Sequence, residues 1–266
     1  MQALSLPVSA GWYWVRAGYA LFASQPMPWF TWAMCISLFL MLASFTPPIG
    51  PIFFVGLMPT VTVMTLSAAR FAESGQKLVP AMWTHPLKRP GVFKRLSGIG
   101  ALYVGLSLLA GLIAFVPFLG ELTTAMEAVV AADGNAVAEV TLLLDAMRTP
   151  LIIFAVLYVL VATLFWFTPP LVALNDVPLR QALFFSLLAC WRNKWAFAIY
   201  GIVWGGVFLA IDLLGTLLAG IGLSSQLVGM LQVPLNIILG AVLYCSFYAN
   251  YTTVFGIERA QAQDPL

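Results

Sequence analysis

Residues 150–176, PLIIFAVLYVLVATLFWFTPPLVALND, run from Pro150 to Leu174 without a charged side chain and then end abruptly in Asn175 and Asp176. At ~1.5 Å per residue, a helix of this length exceeds the ~30 Å hydrocarbon core of a bilayer. The run lacks the alternation of a barrel strand, and a helix is the other backbone that satisfies its own polar groups in lipid. Working outward, five comparable runs lie at about 29–46, 50–69, 97–119, 195–222 and 229–256. Composition agrees. Hydrophobic residues make up 62% of the chain and charged residues 8%, whereas a soluble protein carries roughly a quarter. The expected fold class is an all-α polytopic membrane bundle, one integral domain over residues 1–266 with six transmembrane helices and an N-terminal interfacial amphipathic helix.

The charges orient the threading. Arg16 precedes the first run; Arg70, Lys77, Lys88, Arg89, Lys94 and Arg95 flank or fill the link between runs two and three. Arg180, Arg192 and Lys194 lie between four and five, and Arg259 follows six. These are eleven of the twelve basic residues, all on one side of a six-span path; Arg148 lies opposite with Glu121, Glu127, Asp133, Glu139 and Asp145. The positive-inside rule then predicts a multi-pass chain with both termini in the cytoplasm. Trp12, Trp14, Trp29, Trp32, Trp83, Trp191 and Trp195 fall near that face, as interfacial anchors do.

The leader spaces Val8, Trp12, Val15, Tyr19 and Phe22 by four and three, predicting a helix over 7–24 lying on the membrane surface and ended by QPMPW. A cleavable signal is not expected, because the first strongly apolar run starts only near Trp29. Segment 120–149 predicts an outer hairpin of two short helices turning at DGN.

The double proline predicts a helix break, since each proline removes a backbone donor and disfavours helical geometry in the residue before it. Pro169 falls ~28 Å beyond Pro150, and Pro170 ~9 Å short of Asp176, so the break sits in the inner third. Pro59 is a second candidate break, closer to the midplane.

Few residues suggest chemistry. Asp212 is the one ionisable residue well inside a run, ~15 Å before Gly222, and Asn236 lies at similar depth in the next run. They form a candidate intramembrane polar site, for a proton or cation or simply for helix packing. The stretch HPLKRPGVFKR gathers Lys88, Arg89, Lys94 and Arg95 as candidate anionic-lipid contacts, though topology alone also places such charges. Gly201 and Gly205, with Gly206, have the spacing of a close helix approach. Cys35, Cys190 and Cys245 suit apolar packing. Pro59, Arg70 and Trp83 are echoed by Pro170, Arg180 and Trp191, an outline of a parallel repeat. No metal-ligand spacing, phosphate loop or nucleophile elbow occurs, so no enzyme, metal or cofactor is expected. The expected partners are the bilayer and its anionic lipids, with no nucleic acid.

GWYWVRAGYALFASQPMPWF (11–30), MPT (58–60) with AARFAESG (68–75), and LFWFTPPLVALNDVPLRQALFFSLLACWRNKW (164–195) resemble a family of uncharacterised bacterial six-helix inner-membrane proteins. The likeness rests on Trp14, Pro59, Gly75, Trp166, Pro170, Ser186 and Asn193 and implies the same architecture, without a function to carry over. The leading expectation is a non-enzymatic protein assisting transport or envelope maintenance by binding or moving a small or lipidic ligand. The alternative is a scaffold or assembly partner with no ligand path.

Overall fold

A computed structural model describes residues 3–131 and 136–257, and those residues form helices without strands. In order they are α1 (Ala10–Ser24), α2 (Pro26–Ser44), α3 (Ile49–Glu73), α4 (Pro80–Thr84), α5 (Val92–Phe115) and α6 (Leu119–Ala131). Then come α7 (Ala136–Phe165), α8 (Thr168–Leu174), α9 (Leu179–Arg192), α10 (Lys194–Gly220) and α11 (Ser225–Phe255). Six stretches are long and apolar enough to cross a membrane: Pro26–Ser44, Ile49–Glu73, Val92–Val130, Val140–Leu174, Lys194–Gly220 and Ser225–Phe255. Each matches one expected run. The DGN turn with Asp133, the Glu139 side chain and Arg259 lie outside the described residues.

Packing is concentrated at one end. Apart from Val228, every buried residue of α11 lies between Ala241 and Phe255. Trp14, Trp29, Leu96, Phe167, Leu171 and Val254 are among the fully buried side chains there. Farther along the spans, Leu108, Leu109, Leu112, Val156, Val159, Leu213 and Leu217 are exposed, a surface suited to acyl chains. The packed end is also where the chain ends meet: the Leu4 amide donates to the Val254 carbonyl at 2.8 Å. Even-numbered spans return the basic links to this side, so it is called the basic end below.

Helix α1 lies against α10 and α11 through small residues. A Cβ on Gly18 would sit 2.6 Å from the Ser246 Cβ, and one on Gly11 would collide with the Ala196 carbonyl. Its buried residues are Ala10, Gly11, Trp14 and Gly18, whereas Val8, Trp12 and Tyr19 of the expected apolar stripe are exposed and Val15 and Phe22 half-buried. The stripe is therefore split: Val8, Trp12 and Tyr19 face away from the bundle, and Val15 and Phe22 pack against its core. Gln25, between α1 and α2, donates its amide to the Gln76 carbonyl and accepts from the Leu78 amide, fastening this corner to the link after α3.

Several expectations change. Pro59 does not break its helix: α3 continues from Ile49 to Glu73. A lone proline removes one bond from a long ladder, and packing holds the rest. The outer segment does not hold two separate short helices, because α7 runs unbroken through Pro150 into span four. Trp14, Trp29 and Trp83 are core residues, while Trp12, Trp191 and Trp195 remain exposed. Lys194 lies over the Trp191 ring at 4.7 Å. Besides Gly11 and Gly18, a close helix approach occurs at Gly100 against Gly56, and not at Gly201, Gly205 or Gly206, where an added Cβ would meet open space. The echoed tryptophans occupy unlike settings, Trp83 buried and Trp191 exposed.

Candidate functional site at the basic end

Span four breaks where the double proline predicted, and the prolines are the restart rather than the gap. Helix α7 ends at Phe165, and α8 begins at Thr168 with Pro169 and Pro170 in its first turn. A helix leaves first-turn donors unpaired in any case, so proline loses nothing there. In an unbroken helix the Phe167 amide would reach the Thr163 carbonyl. Instead, the buried Ser186 hydroxyl of α9 sits between them, donating to Thr163 O at 2.7 Å and accepting from Phe167 N at 3.0 Å. The Thr168 hydroxyl returns a bond to the Leu164 carbonyl at 2.6 Å. Side chains thus satisfy the Thr163 and Leu164 carbonyls and the Phe167 amide at the break.

Helix α8 ends at a polar corner. The Val177 amide turns back to the Leu171 carbonyl at 3.0 Å, leaving Asp176 in left-handed geometry with φ 52°. The Tyr251 hydroxyl of α11 donates to Asn175 Oδ1. Two guanidiniums converge on Asp176: Arg89 reaches Oδ2 at 2.6 Å and Arg95 reaches Oδ1 at 2.9 Å. Arg89 also donates to the Ala173 carbonyl at 3.2 Å, satisfying one of the last acceptors of α8. Arg95 and Arg89 beside Asp176 hold its carboxyl below the usual carboxylate value. All three side chains are roughly half exposed, so solvent screens the pair strongly.

A second corner ties down the N-terminal segment. Buried Asn193, between α9 and α10, accepts from the Leu6 amide at 2.8 Å and donates to the carbonyls of Leu4 and Ala189, each at 2.9 Å. Beneath α1, the indole of Trp14 donates to the Thr253 hydroxyl at 2.8 Å, and the Tyr200 and Ser246 hydroxyls pair at 2.6 Å. Two concavities flank this seam. One, of about 280 Å³, is lined by Leu6, Pro7, Ala10, Tyr13, Trp14 and Thr253. The other, of about 40 Å³, has Glu73, Tyr13, Tyr248 and Thr252 on its wall, with Tyr248 donating to Glu73 Oε2 at 2.7 Å.

Of the residues singled out from sequence, Arg89 and Arg95 meet on Asp176, while Lys88 and Lys94 stand exposed beside them. Pro169 and Pro170 are buried at the break, and Pro59 is buried in intact helix. Asp212 and Asn236 are not brought together. Both are exposed, and the α10–α11 groove is bridged by Gln232, which donates to the Ile211 carbonyl at 3.0 Å and packs on Gly215. Equal depth in adjacent spans fixed their height but not their rotation, and helix phase turns both outward. Ser186, Asn193 as a tether, and Glu73 in its niche were not foreseen as contacts. The pattern Ser186–Ala189–Cys190 at i, i+3 and i+4 marks one helix face and was the available signal.

A Burkholderia thailandensis protein named "Probable inner membrane protein" is 33% identical over 265 residues, covering 98% of this chain and 97% of that one. No family model matches the chain. No solved structure matches it either. The match spans nearly all of both chains. The chain belongs to the family of that Burkholderia protein, and is a multi-pass, all-helical inner-membrane protein in contact with the lipid bilayer.

Proposed function

We propose that the protein is a non-enzymatic membrane protein that binds an anionic lipidic ligand at its basic end, and so assists transport or envelope maintenance. One observation carries this: Arg89 and Arg95 converge on an exposed acceptor while Lys88 and Lys94 stand exposed alongside, around the start of a membrane-crossing helix. Guanidinium forks match carboxylate and phosphate oxygens, and each juxtamembrane cation adds roughly 1 kcal/mol of attraction to an anionic leaflet. Two of these four cations pair with one carboxylate, so the corner keeps a surplus of positive charge for an external anion.

The same charge asymmetry supports a cytoplasmic location for the basic end and both chain ends. The exposed Trp12 and Tyr19 of α1, with Val8 just before it, fit a helix resting at the headgroup level, with Arg16 in water. The test is the lipid that travels with the purified protein. Extraction into a neutral detergent followed by lipid chromatography is expected to find anionic phospholipid enriched over its membrane fraction. Recovery in the membrane proportion would favour a scaffold without a ligand.

A further inference from the structure

The Asp176 corner has the geometry of an occupied anion site. Arg89 and Arg95 take separate oxygens of a single carboxylate, at 2.6 and 2.9 Å, as they would take two oxygens of a phosphate. They bracket the start of α5, where Gly91 is the N-cap and Val92 the first helical residue, so the positive end of the α5 dipole lies on the same short segment. Arg89 has a second anchor besides Asp176 in its bond to the Ala173 carbonyl. The carboxylate, in contrast, is presented from a left-handed backbone that an L-residue adopts reluctantly. It is half exposed, so an external anion can reach the guanidiniums without unfolding anything.

We propose that Arg89 and Arg95 form a phosphate-binding site for the headgroup of an anionic phospholipid, and that Asp176 occupies this site as an internal stand-in until the lipid displaces it. The inference rests on the anionic-lipid reading above and narrows it to one pair of residues and one competing side chain. Lys88 and Lys94 attract the headgroup to the corner; Arg89 and Arg95 hold its phosphate. Asp176 sets a threshold, because the lipid must replace two existing charge-assisted bonds. Displacement releases the Asp176 carboxylate alone, because the Tyr251 hydroxyl still holds Asn175 and the Val177 amide still bonds the Leu171 carbonyl.

The test uses the full chain in neutral detergent micelles, with fluorescent short-chain phosphatidylglycerol as probe, phosphatidylcholine as control and inorganic phosphate as competitor. Asp176→Asn is the informative variant, since asparagine accepts left-handed geometry and leaves the backbone in place. It is expected to bind phosphatidylglycerol about two- to fivefold more tightly than wild type, the scale of one exposed ion pair. Arg89→Gln combined with Arg95→Gln is expected to fall to the phosphatidylcholine level; if that variant fails to fold, Asp176→Asn alone decides. A wild type that prefers phosphatidylglycerol and an Asp176→Asn variant that binds it no tighter would overturn the stand-in and leave the lipid reading intact. Displacement of the probe by inorganic phosphate at equal concentration would overturn the lipid assignment in favour of free phosphate. No preference for phosphatidylglycerol in any form would overturn both.

Discussion

Ser186 donates its hydroxyl to the Thr163 carbonyl at 2.7 Å, standing where the next turn of span four would have supplied an amide. The same oxygen accepts from Phe167, so one buried side chain of α9 substitutes for one rung of the α7 ladder. Ser186→Ala strands a buried donor and a buried acceptor at once. The expected cost is about 1–3 kcal/mol, read as a lower unfolding midpoint in micelles. Pro170→Ala, in the first turn of α8, is expected to change stability by less than about 1 kcal/mol. Equal losses in the two variants would contradict this account of the break.

Asn193 fastens the N-terminal segment through the Leu6 amide and the Leu4 carbonyl. Asn193→Ala is expected to release residues 3–8 before the bundle unfolds. Hydrogen exchange at the Leu4 and Leu6 amides should accelerate by at least about tenfold, as expected if ~1.4 kcal/mol of protection is lost. Unchanged exchange would mean that Asn193 is not the tether.

Asp176 gives a pH signature with a defined sign. Its carboxyl titrates lower in the folded protein than in the unfolded chain, so its contribution is complete above the unfolded value of about 3.9 and is lost as pH falls through the folded value. Wild type and Asp176→Asn should therefore differ in unfolding midpoint by the same amount from neutral pH down to the ordinary aspartate range. The difference should shrink only below it. A difference that fades between pH 7 and 5 would point to another group.

The threading is tested by labelling single cysteines with a membrane-impermeant thiol reagent. Glu127→Cys is expected to react from the outside of intact cells, and Lys94→Cys only after the membrane is opened; both native side chains are exposed. The reverse pattern would invert the bundle.

The spans and the break were legible because lipid allows few backbone solutions: apolar run length identifies a helix, and two consecutive prolines force its interruption. Distance along a span was countable in residues, the basis on which Asp212 and Asn236 were paired. Rotation was not, because both faces of such a helix are apolar and no stripe shows which side meets protein. Trp14, Trp29 and Trp83 illustrate the same gap, since an aromatic ring near the interface fits a lipid anchor and a buried core equally well. The basic cluster was visible residue by residue. Its convergence on Asp176 was hidden, because Arg89, Arg95 and Asp176 are brought together by the packing of α3, α5 and α8, not by local spacing.

The central claim, an anionic-lipid site at the basic end, is tested most directly by native mass spectrometry of the full chain released from neutral detergent. Wild type is expected to retain phosphatidylglycerol or another anionic phospholipid. A variant in which Lys88, Arg89, Lys94 and Arg95 are all replaced by glutamine should shed it while keeping its helical content. Equal retention by both proteins would contradict the claim.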